Sequence, residues 1–376
     1  MFGSRQLLPH AWGRAIGASG LGVIGLATVA FLALSGVSGG ARGEPIPMRG
    51  DAAARLPDGA FASESWDVVA RFESGHVLLA TMALFDPGLG ARNAVAFGQL
   101  IEPDGTIHPF SRSERAGGWR LDDSRRRLDL RSIVLDLTEP ERRFVVDKNE
   151  LGIEVEIATG GAPAWPDDET ATGCAIDVVE VAGAAQGSFR IPPGPAVPLR
   201  GFAAITHRWT PGLEAECLSR GLELFAMQDG VGLYLRESET PTGQRSSWLV
   251  VQRDGALVFR GPTADSEITW SAGLPGYPEP IRLRFRAPGI AGRVSFGASL
   301  GRFEPLARLP LPLRVMLEQR TRPRLLWSTS SLELTLDGVP ERALRGRALA
   351  RLSWTNPIPD GIESLPAAAD PAPEGG

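Results

Sequence analysis

The chain is 376 residues long, 43% hydrophobic, and carries a net charge of −5 at pH 7. That length builds one large or two medium cores, and the acidic balance excludes a dedicated nucleic-acid binder, which needs a basic face to neutralise phosphate. Two cysteines and four scattered histidines (His10, His76, His108, His207) offer no ligand spacing for a metal, and neither a metal nor a cofactor is expected.

Arg5 and Arg14 precede an uncharged run over 15–41, apolar at its centre and ending in small residues. A basic flank, an apolar stretch and a small-residue exit describe an export signal, and the run is long enough to span a bilayer if retained. Residues 1–41 therefore read as an export signal or N-terminal membrane anchor. The remainder is expected to be periplasmic, or anchored and facing the periplasm. Such a compartment permits Cys174 and Cys217 to bridge; the alternative is two separate buried thiols. Residues 42–60, rich in Pro, Gly and Ala, read as a tether.

From Phe61 the pattern is that of β-structure. Short apolar runs alternate with turn signals: Ser74-Gly75, Asp86-Pro87-Gly88, Asp104-Gly105. Asp-Gly pairs supply the positive φ angles of two-residue hairpins. Leu128-Asp129-Leu130 and Ile153-Glu-Val-Glu-Ile157 alternate as strands with one wet face. No long stripe of period 3.6 interrupts them, so the chain is expected to be all-β, a barrel or sandwich. Pro192, Pro193, Pro195 and Pro198 cannot join a central sheet and place a domain boundary at 199/200. The expected domains are 61–199 and 200–356.

The second half repeats the order of the first. Strands over 222–228 and 231–237 flank Asp229-Gly230, and strands over 247–252 and 256–260 flank Asp254-Gly255. Set beside 66–110, this reads as a duplicated β-domain. Strands follow over 281–287, 295–303, 324–327 and 332–336, and 341–352 reads as a partner strand ending at Trp354. The Pro/Ala/acid tail, 357–376, is expected to be disordered.

Nucleophilic catalysis finds little support. Gly297-Ala-Ser299-Leu-Gly301 matches a nucleophile-elbow pattern, but no helix pattern and no histidine follow it. Gly20-Leu-Gly22-Val-Ile-Gly25 lies in the leader without a preceding strand. The stretch that concentrates chemistry is 200–212, where Phe202 to Ile205 lead into Thr206, His207, Arg208 and Trp209. His207 and Trp209, two apart on a strand, share a face, where they either line a cavity together or His207 is a hydrogen-bonded residue bracing a domain junction; Arg208 points the other way and is expected to be exposed. His76 and His108 are expected to be solvated, and Trp66, Trp119, Trp248, Trp270 and Trp327 to be mostly core, with one or two facing a ligand.

The run Gly201-Phe-Ala-Ala-Ile-Thr-His207-Arg-Trp209-Thr-Pro-Gly resembles the Gly-x-Gly-Tyr-x-Asp-His-x-Trp-Gly signature of a lipocalin-related superfamily. Carotenoid 1,2-hydratases, AttH-like secreted proteins and survival-factor-like proteins form that group. Ser63-Glu64-Ser65-Trp66 and the Phe85-Asp-Pro-Gly88 loop look similar as well. The resemblance implies two tandem lipocalin-like antiparallel β-barrels holding an apolar small molecule, a lipid or isoprenoid. Thr206, His207, Trp209 and Trp66 are its candidate ligand-binding residues. In the hydratases an Asp protonates an isoprenoid double bond; Thr206 stands at that position here. The departure favours carrying an apolar ligand over converting it. Two alternatives stand beside that reading: a hydratase or lyase using His207 with a carboxylate such as Glu214 or Glu216, and a non-enzymatic envelope scaffold.

Overall fold

The computed structural model describes residues 52–357, other than 89, 160–173, 229, 275, 309–310, 338 and 341–343. The export or anchor segment, the first part of the tether, and all but the first residue of the tail lie outside the described residues. Almost every element is a strand.

The first sheet opens as a four-strand meander, β1 (Ser63–Phe72), β2 (Val77–Phe85), β3 (Asn93–Ile101) and β4 (Ile107–Glu114). Short strands β5 (Arg120–Leu121), β6 (Arg127–Asp129) and β7 (Ile133–Asp136) follow, then β8 (Glu141–Asp147) and β9 (Gly152–Ala158). Two long strands, β10 (Ala175–Arg190) and β11 (Val197–Thr210), end it. The order in the sheet is β4-β3-β2-β1-β11-β10-β9-β8-β7-β6-β5, so the last strand returns beside the first.

The second sheet is built the same way. Its meander is β12 (Arg220–Gln228), β13 (Val231–Glu239), β14 (Arg245–Arg253) and β15 (Ala256–Pro262). After it come β16 (Asp265–Leu274), β17 (Tyr277–Ala287), β18 (Ile290–Phe303), β19 (Arg324–Leu336), β20 (Val339–Pro340) and β21 (Leu344–Trp354). The order β15-β14-β13-β12-β21-β19-β18-β17-β16 again places the final strand beside the first. These are two curled antiparallel sheets in tandem, the lipocalin-like plan that the signature implies. The turn chemistry is where the sequence put it: Asp254 and Gly255 adopt φ of 51° and 78°, the paired positive values of a tight hairpin.

Each sheet wraps its own core. Val68, Ala70, Phe72, Leu78, Phe144, Val155 and Ile205 belong to the first, and Leu224, Leu235, Val251, Leu283, Phe285 and Leu334 to the second. A third apolar cluster joins the two sheets, with Val69, Leu79, Val178 and Ala204 from one side and Phe225, Tyr234, Val250, Trp327 and Leu349 from the other.

Three expectations change. The strand at 200 does not open the second half: β11 pairs with β1 and β10 inside the first sheet, and the sheets are joined after Thr210. The prolines mark the β10–β11 hairpin instead, an edge turn where missing N–H groups cost nothing. The tether is also not loose throughout. Ala52 and Ala54 are buried in the first core, the backbone N–H groups of Arg55 and Leu56 donate to the Glu64 carboxylate, and the Trp66 indole donates to the Ala52 carbonyl. Finally, a helix, α1 (Leu311–Glu318), sits between β18 and β19, where proline and leucine mixed without any clear period.

Candidate functional site

Strand β11 delivers its side chains alternately to two places. Gly201 is required for its seat against β1, because a Cβ there would lie 2.1 Å from the Arg71 carbonyl oxygen. Beyond it, Ala203, Ile205, His207 and Trp209 turn into the first barrel. Ala204, Thr206 and Arg208 turn toward the second.

Inside the barrel, His207 stacks on Trp66, with ring centroids 4.8 Å apart and planes 8° from parallel, and meets Trp209 at 5.0 Å. Its Nε2 lies 2.7 Å from a Glu64 oxygen. That carboxylate also accepts the Arg55 and Leu56 N–H groups at 2.5 and 2.8 Å, and the Arg55 guanidinium lies 5.0 Å from the Trp209 ring centroid. All four central groups are buried: Glu64 1%, Trp66 2%, His207 0% and Trp209 4% exposed. His207 therefore has a carboxylate partner, and it is Glu64. Glu214 and Glu216 lie on a short turn of 3-10 helix between the sheets.

Thr206 is separated from these residues by the strand itself. It faces Asp67 of β1, its direct cross-strand partner, and its hydroxyl lies 3.5 Å from an Asp67 oxygen. A carboxyl thus stands on the neighbouring strand, directly across from Thr206. Asp67 accepts from Thr81 Oγ1 at 2.5 Å and from Arg208 Nη2 at 2.5 Å. Arg208, expected to be exposed, is mostly covered, with 13% of its side chain exposed, and continues to Glu223 at 2.7 Å. Glu223 in turn accepts from Arg351 at 2.8 Å and from the Tyr234 hydroxyl at 2.7 Å. Two carboxylates and two guanidiniums form a closed, charge-neutral square between the barrels.

Burial alone would push the Glu223 carboxyl up, but Arg208 and Arg351 overcome it and, with the Tyr234 hydroxyl, hold it at about 2. Burial likewise works against the Arg208 charge, and the Glu223 and Asp67 carboxylates outweigh it, so its pKa is raised. Tyr234 is pushed well up by burial and by Glu223 beside it.

A cleft of about 120 Å³ opens at the edge of this square, lined by Leu79, Ala80, Thr81, Phe97, Phe303 and Trp327. Thr81 belongs to both, donating to Asp67 while facing the cleft. Phe97 of the first sheet stacks on Phe303 of the second at 4.0 Å. Phe303 and Arg302 also line a second cavity of about 250 Å³ at the end of the second barrel, with Tyr277, Leu326, Leu352 and Trp354. The lining of both is mixed, with Gln99 and Arg302 in the first and Glu279, Arg302, Glu304 and Arg324 in the second, and both are smaller than the roughly 300–1,000 Å³ of an ordinary small-molecule pocket.

The second barrel buries a polar group of its own. Arg220 lies 4.2 Å from the Trp270 centroid and 5.2 Å from that of Trp354, and pairs with Glu239. Nearby, burial raises the Glu237 carboxyl despite donation from Ser247 and Ser266. Other sequence candidates fall elsewhere. Ser299 lies within β18, on a strand and not at a strand-to-helix elbow. His76 is buried, its pKa lowered by burial, and His108 is half-buried 2.5 Å from Glu102; neither is simply solvated. Cys174 and Cys217 are bonded, with Cα atoms 5.7 Å apart.

No protein-family model and no curated protein matches the chain. Solved structures do. An AttH-type protein from Nitrosomonas europaea superposes with a TM-score of 0.56 at 14% identity, covering 83% of this chain and 99% of that one. CghA bound to Sch210972 gives 0.56 at 14%, covering 79% and 89%. Kievitone hydratase from Nectria haematococca gives 0.54 at 7%, covering 82% and 93%. The chain has the two-barrel, lipocalin-like fold of these structures.

Asp67, Thr81, Glu223, Arg351 and Glu64 were not singled out from the sequence. A signal existed for the first: Asp67 is a charge set among Val68, Val69 and Ala70 on a strand with both faces covered.

Proposed function

We propose that the protein is a hydratase- or lyase-type enzyme acting on an unsaturated, isoprenoid-like small molecule bound in the cleft between the barrels. The observation that carries this reading is the position of Asp67. Its carboxylate stands beside Thr206, where the hydratase signature has its acid, and reaches the cleft through Thr81. Adding water across a double bond needs a group that gives a proton to carbon and takes one back from the entering water; Asp67 would do both only after taking up a proton from solvent, which it passes to carbon and recovers from the water that adds. The walls formed by Leu79, Phe97, Phe303 and Trp327 would keep bulk water from the cation between those steps. The fold shared with a hydratase and with a ligand-bound relative supports the same reading.

A second reading, carriage of an apolar ligand without conversion, is favoured by one feature: both Asp67 oxygens are engaged by protein groups. Turnover in 18O-labelled water separates the two. The enzyme incorporates label into an added hydroxyl, and Asp67→Asn lowers kcat by roughly 100-fold or more while leaving ligand retention in place. A wild-type protein that retains an isoprenoid through purification and incorporates no label is a carrier. Absence of both retention and label would refute both readings and leave the scaffold alternative.

A further inference from the structure

The connections of the second sheet are short, five residues or fewer, except between β18 and β19, where residues 304–323 intervene. A long insertion in a compact sheet is commonly a functional one. This one carries α1, and α1 presents apolar side chains to water: Leu311 is 71% exposed, Val315 49% and Met316 41%, while Leu317 packs inward. Around them the charge is one-sided. Residues 304–323 hold four arginines (308, 314, 320, 322) and two acids, Glu304 and Glu318, in a chain whose net charge is −5, and Glu304 is taken by Arg324 at 3.1 Å. Glu318 is taken by Arg314 at 2.5 Å. Arg320 and Arg322 are exposed.

We propose that this insertion docks the protein on a membrane surface of anionic lipid. The apolar triplet enters the boundary between headgroups and acyl chains, and the exposed Arg320 and Arg322 pair with lipid phosphates, the usual division of labour in an interfacial helix. Charge decides between occupants. A second copy would bring the same positive segment against itself, whereas an anionic bilayer is opposite in sign. The larger cavity, whose rim includes Glu304 and Arg324 at the two ends of the insertion, then opens beside the docked face.

The test uses the full-length chain with Val315→Cys carrying an environment-sensitive fluorophore, the native cysteines being bonded to each other. Met316→Cys serves as a second label position, and circular dichroism confirms that both variants fold. Emission is read with vesicles of phosphatidylcholine alone or mixed with phosphatidylglycerol. The expected result is a blue shift with the mixed vesicles only, reversed by high salt and lost when Arg320→Glu and Arg322→Glu are combined. No shift on the mixed vesicles overturns the proposal. So does an equal shift on phosphatidylcholine alone, which would place the contact with the N-terminal apolar run, and so does a shift that grows with protein concentration in the absence of vesicles.

Discussion

Glu223 shows what a buried charge does here and how to detect it. Its free carboxyl value near 4.5 is depressed to about 2, against the burial that opposes it, by Arg208, Arg351 and the Tyr234 hydroxyl. A depressed carboxyl stabilises the fold above its unfolded value, and that contribution is lost as pH falls through the window between about 4.5 and about 2. Thermal melts from neutral pH down to about pH 3 should therefore fall steeply for the wild type. Glu223→Gln should begin about 3 kcal/mol less stable, since it leaves two buried guanidiniums sharing the one carboxylate of Asp67, and should show a flatter acid limb. Glu237 acts in the opposite sense. Its pKa is raised, chiefly by burial, so its contribution is fullest below 4.5 and declines as pH rises.

At the level of the element, β1 and β11 are the pair on which the site depends, and Gly201 sets how closely they lie. An alanine methyl would meet backbone, not a flexible side chain. Gly201→Ala should thus cost about 1–3 kcal/mol and loosen Asp67 and His207 together, a loss visible in amide exchange along both strands. The sequence disclosed a good deal about these elements. Asp-Gly turns placed the hairpins, and the spacing of His207 and Trp209 correctly put them on one face with the barrel interior. It did not disclose which strand β11 joins, because pairing is a long-range choice and the four prolines signal a turn equally well at a domain boundary or in a hairpin. Nor did one strand reveal that a carboxyl, Asp67, stands across the ladder from Thr206. Arg208 was misjudged for a related reason: alternation shows that it leaves the barrel, not that a second barrel waits there.

Across the whole molecule, the two sheets are copies in register. Trp209 lies opposite Glu64, and Trp354 opposite Arg220; three residues along the first strand of each sheet stand Asp67 and Glu223. The acids of the square are thus equivalent residues of the two halves, and each half supplies one of its bases from its last strand. The Cys174–Cys217 bond closes a loop with a sequence separation of 43 between β10 and the joint that leads to β12. A loop of that size is worth about 4 kcal/mol in chain-entropy terms. Reduction, or Cys174→Ser with Cys217→Ser, should lower denaturant stability by about 2–4 kcal/mol without changing the strand content seen by circular dichroism.

The return of each final strand to its first also bears on how the protein is made. Ser63 lies opposite Thr210 and Arg220 opposite Trp354, so each half enters and leaves at one place. As the polypeptide emerges from the ribosome or a translocation pore, the first half has its closing strand once Thr210 is out, before β12 has emerged. Domains completed in this order fold as units, the N-terminal one first. A half ending at residue 199 would instead wait with β1 and β10 unpaired along the edges that β11 covers, and unpaired edges are what invite aggregation.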